Sequence, residues 1–387
     1  MDPDRFTASM FGRPQREPGN KWAFWYFEPA SVPRELELSS KTIAALSRAD
    51  AALGRLAGLG SLIRDPQLLI GPALTREAVA SSRIEGTQAS ISDVLKSEAQ
   101  HGMPQAEDVA EVERYLAATR LGHRLIETLP ITQRMILELH ATLMTGVRGE
   151  DKMPGRFRST PVWVGSPTDS PDTATYVPPI PPLLPELLTD WERFVNEGGE
   201  LPTLIRCALM HYQFETIHPF LDGNGRIGRL LINLLLVSEG RLPHPLLYLS
   251  GFLESRRSDY YERLQNVRER GEVQEWLQFF LTAVDKSAQD AVSRSERIVS
   301  LRENYLQQIA TSRSRIGGLV LPLFANPFIT VARASKELEM TPQGARNVIR
   351  EAEGLGWLTE VGRYGRGGAA YWVAHEIFDI IEAPSAY

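Results

Sequence analysis

Apolar residues recur at helical spacing along most of the chain. Ile43, Leu46, Leu53, Leu56 and Leu59 predict a helix in a region opened by Pro33, and Ala73 to Glu85 reads as another, stopped by Gly86. Through residues 91–150 the helical faces carry Val112, Tyr115 and Leu116, then Ile136, Leu137, His140 and Leu143, with His140 read as structural. Ile205, Ala208, Leu209 and Tyr212 share one face of a later helix, and Ile227, Leu230, Leu231, Leu234 and Leu235 form the buried stripe of the next. Asp259, Tyr260, Tyr261 and Leu264 begin a helix expected to run on through Trp276, Phe279 and Phe280. The period changes at residues 151–180. There the alternating Val162-Trp163-Val164-Gly165, a turn-rich loop and Thr175-Tyr176-Val177-Pro178-Pro179 predict a surface hairpin. Residues 1–20 are polar and rich in Pro, Gly and Arg, so a loose arm is expected; the aromatic run Trp22 to Phe27 should lie extended on the body as core.

The C-terminal stretch, 315–387, has its own pattern. Val331, Ala334 and Leu338 mark one helix, Thr341 and Pro342 an N-cap and first helical residue, and Val348, Ile349, Ala352 and Leu355 the next helix. Trp357 to Val361 and Ala370 to Val373 then flank a Gly- and Arg-rich turn. Helix, turn, helix and hairpin resemble a winged helix. Gln343, Arg346, Asn347 and Arg350 are types that reach bases, and Arg363 and Arg366 types that touch phosphate. The nearly balanced charge of this stretch disfavours DNA, and dimerisation or protein docking are the other uses of such a unit.

A length of 387 residues predicts two or three domains, and 43% hydrophobic residues suffice for real cores. The net charge of -6 gives no support to broad electrostatic binding to nucleic acid. Cys207 is the only cysteine, so no disulfide forms within the chain and a reducing, cytoplasmic setting is expected. Leu230 to Val237 is too short to span a membrane, and no membrane partner is expected. Neither repeats nor low-complexity tracts occur.

Chemistry concentrates in His218-Pro219-Phe220-Leu221-Asp222-Gly223-Asn224-Gly225-Arg226-Ile227-Gly228-Arg229. Pro219 biases His218 away from helical angles, so the preceding helix should end there. Gly223 and Gly225 permit left-handed angles around Asn224 and let consecutive N–H groups converge as an anion nest at the start of the next helix. Arg226 and Arg229 sit in the first turn of that helix, where cations are unfavourable unless something negative offsets them.

The run resembles the signature of the Fic family, His-x-Phe-x-(Asp/Glu)-Gly-Asn-Gly-Arg-x-x-Arg, matched here at every specified position. The resemblance implies a protein adenylyltransferase that moves AMP from ATP onto a Ser, Thr or Tyr hydroxyl of a protein and releases pyrophosphate. It makes His218 the general base, Asp222 the Mg²⁺ ligand, and Phe220 the apolar anchor of the loop. Gly223, Asn224 and Gly225 become the anion hole, and Arg226 and Arg229 the holders of the outer phosphates. The related Doc toxin group has Lys where this chain has Gly225 and transfers phosphate, so Gly225 argues for nucleotide transfer.

Ser81-Ser82-Arg83-Ile84-Glu85-Gly86 resembles the Fic inhibitory motif, (Ser/Thr)-x-x-x-Glu-(Gly/Asn). By that resemblance Glu85 pairs with Arg229 in place of the ATP γ-phosphate, and Ser81 steadies the helix. The hairpin matches the family's flap, which borders the nucleotide through Tyr176 and Val177 and holds the target by strand addition. Tyr260 and Tyr261 fall where the family lines its adenine site.

The expected fold is mainly α: a Fic-type helical core with a small β-hairpin flap, a helical N-terminal domain and a C-terminal winged helix-turn-helix. The expected boundaries are 1–130 for the N-terminal domain with its inhibitory motif at 81–86, 131–285 for the core with flap 155–180 and motif 218–229, 286–314 for a linker helix, and 315–387 for the winged helix. The expected partners are ATP and an unidentified target protein, with self-modification, reversal of the reaction and a homodimer left open. The competing reading is a DNA-binding regulator whose Fic core senses nucleotide.

Overall fold

The computed structural model describes residues 1–16, 23–63, 65–100, 106–166, 168–365 and 367–385. Trp22 and Arg366, both singled out from sequence, lie outside the described residues. An N-terminal hairpin pairs β1 (Gly12–Arg16) with β2 (Trp25–Pro29). Five helices follow: α1 (Ser40–Leu62), α2 (Gln67–Ile84), α3 (Ile91–Ala99), α4 (Glu107–Leu125) and α5 (Gln133–Met144). The middle of the chain supplies α6 (Leu184–Asn196), α7 (Thr203–Ile217), α8 (Asn224–Ser238), α9 (Leu249–Ser255), α10 (Arg257–Arg270) and the long α11 (Val273–Gln308).

Local chemistry sets these boundaries. The Ser39 hydroxyl caps α1 through the Thr42 amide, and Ser90 with Asp93 closes a capping box on α3. Helix α2 ends as the sequence indicates, with Gly86 at φ +104°. At the centre lies α7, buried on every side from Leu204 to Ile217 and packed against α6, α8 and α11. Its single expected apolar face understates this. Arg206 is accommodated by the Val195 carbonyl at 2.9 Å and Glu239 at 3.1 Å, and His211 by the Tyr260 hydroxyl at 2.8 Å.

The C-terminal unit contains α12 (Val320–Ala325), β3 (Phe328–Thr330), α13 (Val331–Glu337), α14 (Pro342–Gly354), β4 (Thr359–Tyr364), β5 (Ala369–Val373) and α15 (His375–Glu382). Its antiparallel sheet has the order β3-β5-β4, so the expected hairpin carries a third strand. Gln343, Arg346, Asn347 and Arg350 are exposed on α14. The unit is docked on the rest of the chain. The Tyr305 and Trp357 rings stack at 4.3 Å, Asn326 donates to the Leu95 carbonyl at 2.9 Å, and Arg294 donates to the Ile380 carbonyl at 2.6 Å. Arg76 of α2 reaches the Ala383 carbonyl at 3.2 Å and the Ser385 hydroxyl at 2.9 Å.

Several expectations are corrected. Residues 1–16 are no loose arm: Met1, Phe6 and Phe11 are buried, and Phe6 packs with Phe27 and Tyr176 in a small second core. Helix α1 starts at Ser40, well after Pro33, and leaves Ile43 exposed. The helix expected across residues 259–280 is two, broken at Gly271 with φ +71°. The second of these, α11, runs on through the stretch expected as a linker helix to Gln308 and packs along α1. In place of a regular flap hairpin there is one bridge, Val164 with Tyr176. Among the described residues no helix is long and apolar enough to cross a membrane.

Candidate active site

Helix α7 delivers His218 and α8 receives the chain after Gly223. His218 is the C-cap of α7 but adopts φ +51°, ψ +61°, a left-handed conformation and not the extended one that Pro219 favours. Arg158, only 2% exposed, accounts for it. Its guanidinium donates to the carbonyls of His218 at 2.8 Å and Pro179 at 2.6 Å, and its amide donates to that of Pro219 at 2.9 Å. One arginine thereby ties the flap segment to the loop.

The rest of the loop is held from within. Asn224 accepts from the Phe220 amide at 2.8 Å and donates to the Phe220 carbonyl at 2.9 Å, so its side chain closes the turn. His140 stacks on Phe220 at 3.7 Å. Its Nδ1 accepts from the Gly155 amide at 2.9 Å, which leaves the proton on Nε2 to be donated to the Asp222 carbonyl at 3.0 Å. His140 is structural, as expected. Gly223 has φ +80°, whereas Gly225 is helical. Glycine is needed at 225 for room: a methyl there would strike Glu85 Oε1 and lie 2.8 Å from Arg229 Nη1.

His218 is half-buried, with Nδ1 3.4 Å from the Glu215 carbonyl. Burial, with the Arg158 and Arg268 guanidiniums adding to it, pushes its pKa down to about 4. The imidazole is therefore neutral at physiological pH. A proton on Nδ1 donated to Glu215 would leave Nε2 free to accept another. The Asp222 side chain is 46% exposed, accepts from the Gly223 amide at 2.5 Å and lies 3.4 Å from Arg226 Nη2.

The two arginines diverge, each to its own carboxylates. Arg229, 2% exposed, donates through Nη2 to Glu85 Oε1 at 2.7 Å and to the Ser81 carbonyl at 2.9 Å, and through Nε to the Ser81 hydroxyl at 2.9 Å. Ser81 therefore meets the arginine directly. Burial works against the Glu85 charge, but Arg229 beside it holds its carboxyl below the usual range. Burial likewise opposes the Arg229 charge, and Glu85 more than restores it. Arg226, 4% exposed, lies between Asp222 at 3.4 Å and Glu111 of α4 at 3.7 Å.

The outer candidates fare differently. Tyr176 is 1% exposed and donates to the Thr216 carbonyl at 2.5 Å, under the Arg268 guanidinium at 4.1 Å. Val177 is fully buried, and its carbonyl accepts from the Phe27 amide at 2.9 Å. Both side chains belong to the small second core. Tyr260 is also fully buried, with its hydroxyl 2.8 Å from His211 Nε2 and its ring centroid 5.1 Å from that of Tyr261, which is 41% exposed. Sequence reasoning missed Arg158, Glu111 and Glu215. Glu215 is 7% exposed, and burial, opposed by Arg229, pushes its pKa up to about 7.

Residues 43–124 match the family profile described as Fic/DOC family N-terminal, and residues 130–236 match that of the Fic/DOC family. The chain is 33% identical over 174 residues to the protein adenylyltransferase Fic of Drosophila grimshawi, covering 44% of this chain and 32% of that protein. To its Drosophila melanogaster counterpart it is 32% identical over the same length, with the same two coverages. The chain thus spans about a third of the length of these curated relatives. The fold is similar to that of a Fic family protein from Desulfovibrio desulfuricans, with a TM-score of 0.58 and 20% identity over 88% of this chain and 98% of that one. It is also similar to that of Fic-1 from C. elegans, with a TM-score of 0.51 and 22% identity over 66% and 73%. Residues 43–124 and 130–236 thus match the two Fic/DOC family profiles in sequence order, and the chain shares its fold with solved Fic-domain structures.

Proposed function

We propose that this chain is a self-inhibited protein adenylyltransferase that transfers AMP from ATP to a Ser, Thr or Tyr hydroxyl of a protein. The observation that carries the reading is the convergence of a neutral His218, the glycine-framed loop and Arg229 on one cleft, with Glu85 seated on that arginine. The names of the curated Drosophila relatives support the reaction class.

The residues suit the steps required. Nε2 of His218 accepts the proton of the attacking hydroxyl as its oxygen bonds to the α-phosphorus and the bond to the pyrophosphate oxygen breaks. The N–H groups in the first turn of α8 lack intrahelical partners and are preorganised for charge on the phosphates. Arg226 and Arg229 are the cations for the outer phosphates. Among the described residues no three His, Cys, Asp or Glu side chains gather as a metal cage. Asp222, a single half-exposed carboxylate, fits Mg²⁺, which commonly binds through one or two carboxylates plus substrate phosphates. When bound, that ion offsets phosphate charge.

Inhibition follows from occupancy. Glu85 and Ser81 take up Arg229 Nε and Nη2, and Glu85 Oε1 covers Gly225, so an incoming phosphate must displace a carboxylate. Incorporation of α-labelled ATP into protein tests the proposal. Glu85→Gly should label itself or a lysate protein far more than wild type, and Glu85→Gly with His218→Ala should not; no labelling by any of them would remove transfer from ATP.

A further inference from the structure

Glu85 lies outside the regular helix, on the turn that follows α2. What fixes it opposite Arg229 is therefore whatever fixes the turn. Part of the hold is local: the Glu85 and Thr87 amides donate to the Ser82 carbonyl at 3.0 and 3.2 Å. The rest comes from the start of α4. Thr87 is 1% exposed, and its hydroxyl donates to Glu111 Oε2 at 2.9 Å; the neighbouring Gln88 amide donates to Asp108 Oδ2 at 2.8 Å. Glu111 is itself only 3% exposed. Its other oxygen meets Arg148 at 2.9 Å, and Oε2 lies 3.7 Å from Arg226 of the motif. A buried carboxylate placed in this way has strong reason to keep its place, because leaving would deprive Arg226, 4% exposed, of one of its two carboxylates.

We propose that Glu111 is a positioning residue of the inhibited state: by accepting the Thr87 hydroxyl it seats the turn after α2 so that Glu85 stays on Arg229. The inference rests on the reading of Glu85 as an inhibitory carboxylate. It adds that the hold depends on a side chain of the N-terminal domain that is remote in sequence from both the inhibitory and the catalytic motif. Besides Arg148, Glu111 meets two groups of opposite consequence, Thr87 on the inhibitory turn and Arg226 on the phosphate loop. The clean perturbation is therefore on Thr87, which contacts only the first.

The test is affinity for Mg·ATP by calorimetry, in full-length chains that also carry His218→Ala so that no transfer consumes the nucleotide. Thr87→Val keeps the side-chain volume and removes the hydroxyl. It should tighten Mg·ATP about tenfold, equivalent to ~1.4 kcal/mol, whereas Thr87→Ser, which keeps the hydroxyl, should bind as the parent does. In a Glu85→Gly background Thr87→Val should add nothing. Tightening cannot come from loss of folding, which would weaken binding. If Glu85→Gly tightens Mg·ATP and Thr87→Val does not, the positioning role is wrong and self-inhibition stands. If Thr87→Val tightens binding equally with Glu85 absent, it does not act through Glu85 and the proposal is overturned. If Glu85→Gly itself leaves affinity unchanged, the inhibitory reading falls and this inference with it.

Discussion

The Glu85–Arg229 pair can be tested by stability as well as by turnover, with Glu85→Gln, which keeps the shape and removes the charge. The Arg229 side chain is 1% exposed and that of Glu85 34%, with 2.7 Å between them. Removing one partner of a fully buried pair costs ~3–5 kcal/mol, and the part of Glu85 open to water reduces this to ~2 kcal/mol. Unfolding entropy scales with length, so a chain of 387 residues loses about 2.5 °C in Tm for that cost. Mg·ATP at a hundred times its Kd returns ~2.7 kcal/mol, or about 3 °C. In differential scanning calorimetry the variant should melt below wild type without nucleotide and regain at least that loss with Mg·ATP, while wild type responds less because its own carboxylate holds Arg229. A variant that melts at or above wild type without nucleotide, with equal ATP shifts in both, would refute the argument.

The same pair has a pH signature. Glu85 titrates below the usual carboxylate range. Its contribution is thus complete above the unfolded value of about 4.3 and lost as pH falls through the lower folded value, so the stability gap to Glu85→Gln should close in acid. His218, with its pKa pushed down to about 4, should let a Glu85→Gly enzyme keep its rate from neutrality to about pH 5; a limb near pH 6.5 would show an unperturbed imidazole. Arg158→Met should lower kcat at least tenfold with little change in nucleotide affinity, since it removes the donors that hold His218 in its left-handed conformation; unchanged kcat would discount that role. Asp222→Ala should reduce the rate and weaken its Mg²⁺ dependence together, and an unaltered metal titration counts against a ligand role. Filter binding of duplex DNA across a salt series should give no retention even at low salt, whereas salt-sensitive retention would favour the regulator reading.

How much of this was legible beforehand depended on distance along the chain. The motif could be read because its parts are consecutive: base, carboxylate, glycine turn and two arginines within a single loop, with helical periodicity on both sides. The helix-capping Gly86 likewise fixed the end of α2 and so the place of Glu85. What could not be read were partners supplied from elsewhere. Nothing local to Arg158 marks it as the clamp on His218, sixty residues on. Glu111 looks like a solvated residue in the first turns of a helix. Arg206, His211 and Glu215 made α7 look one-sided, because periodicity counts a charged residue as exposed unless a long-range partner is known. Nor did the pattern that assigned Tyr176 and Tyr260 to the site show that Thr216 and His211 take their hydroxyls.

The prediction that an anion must sit at the start of α8 was met inside the chain itself. Two guanidiniums in the first two turns of α8, each under 5% exposed, have little solvent to screen them. The fold answers with Glu85 for Arg229, and with Asp222 and Glu111 for Arg226. The site is therefore electrostatically satisfied before any nucleotide arrives. On the proposed function, nucleotide affinity is then a difference between two anions competing for the same donors, and a difference is easily shifted. The Glu85 carboxylate has the advantage of being tethered, so it competes at a raised effective concentration while its turn remains seated. Loosening that seat by a little over 1 kcal/mol is enough for a tenfold change in occupancy. Control of such a site is thus best exerted on the turn, where a partner can act without touching the chemistry.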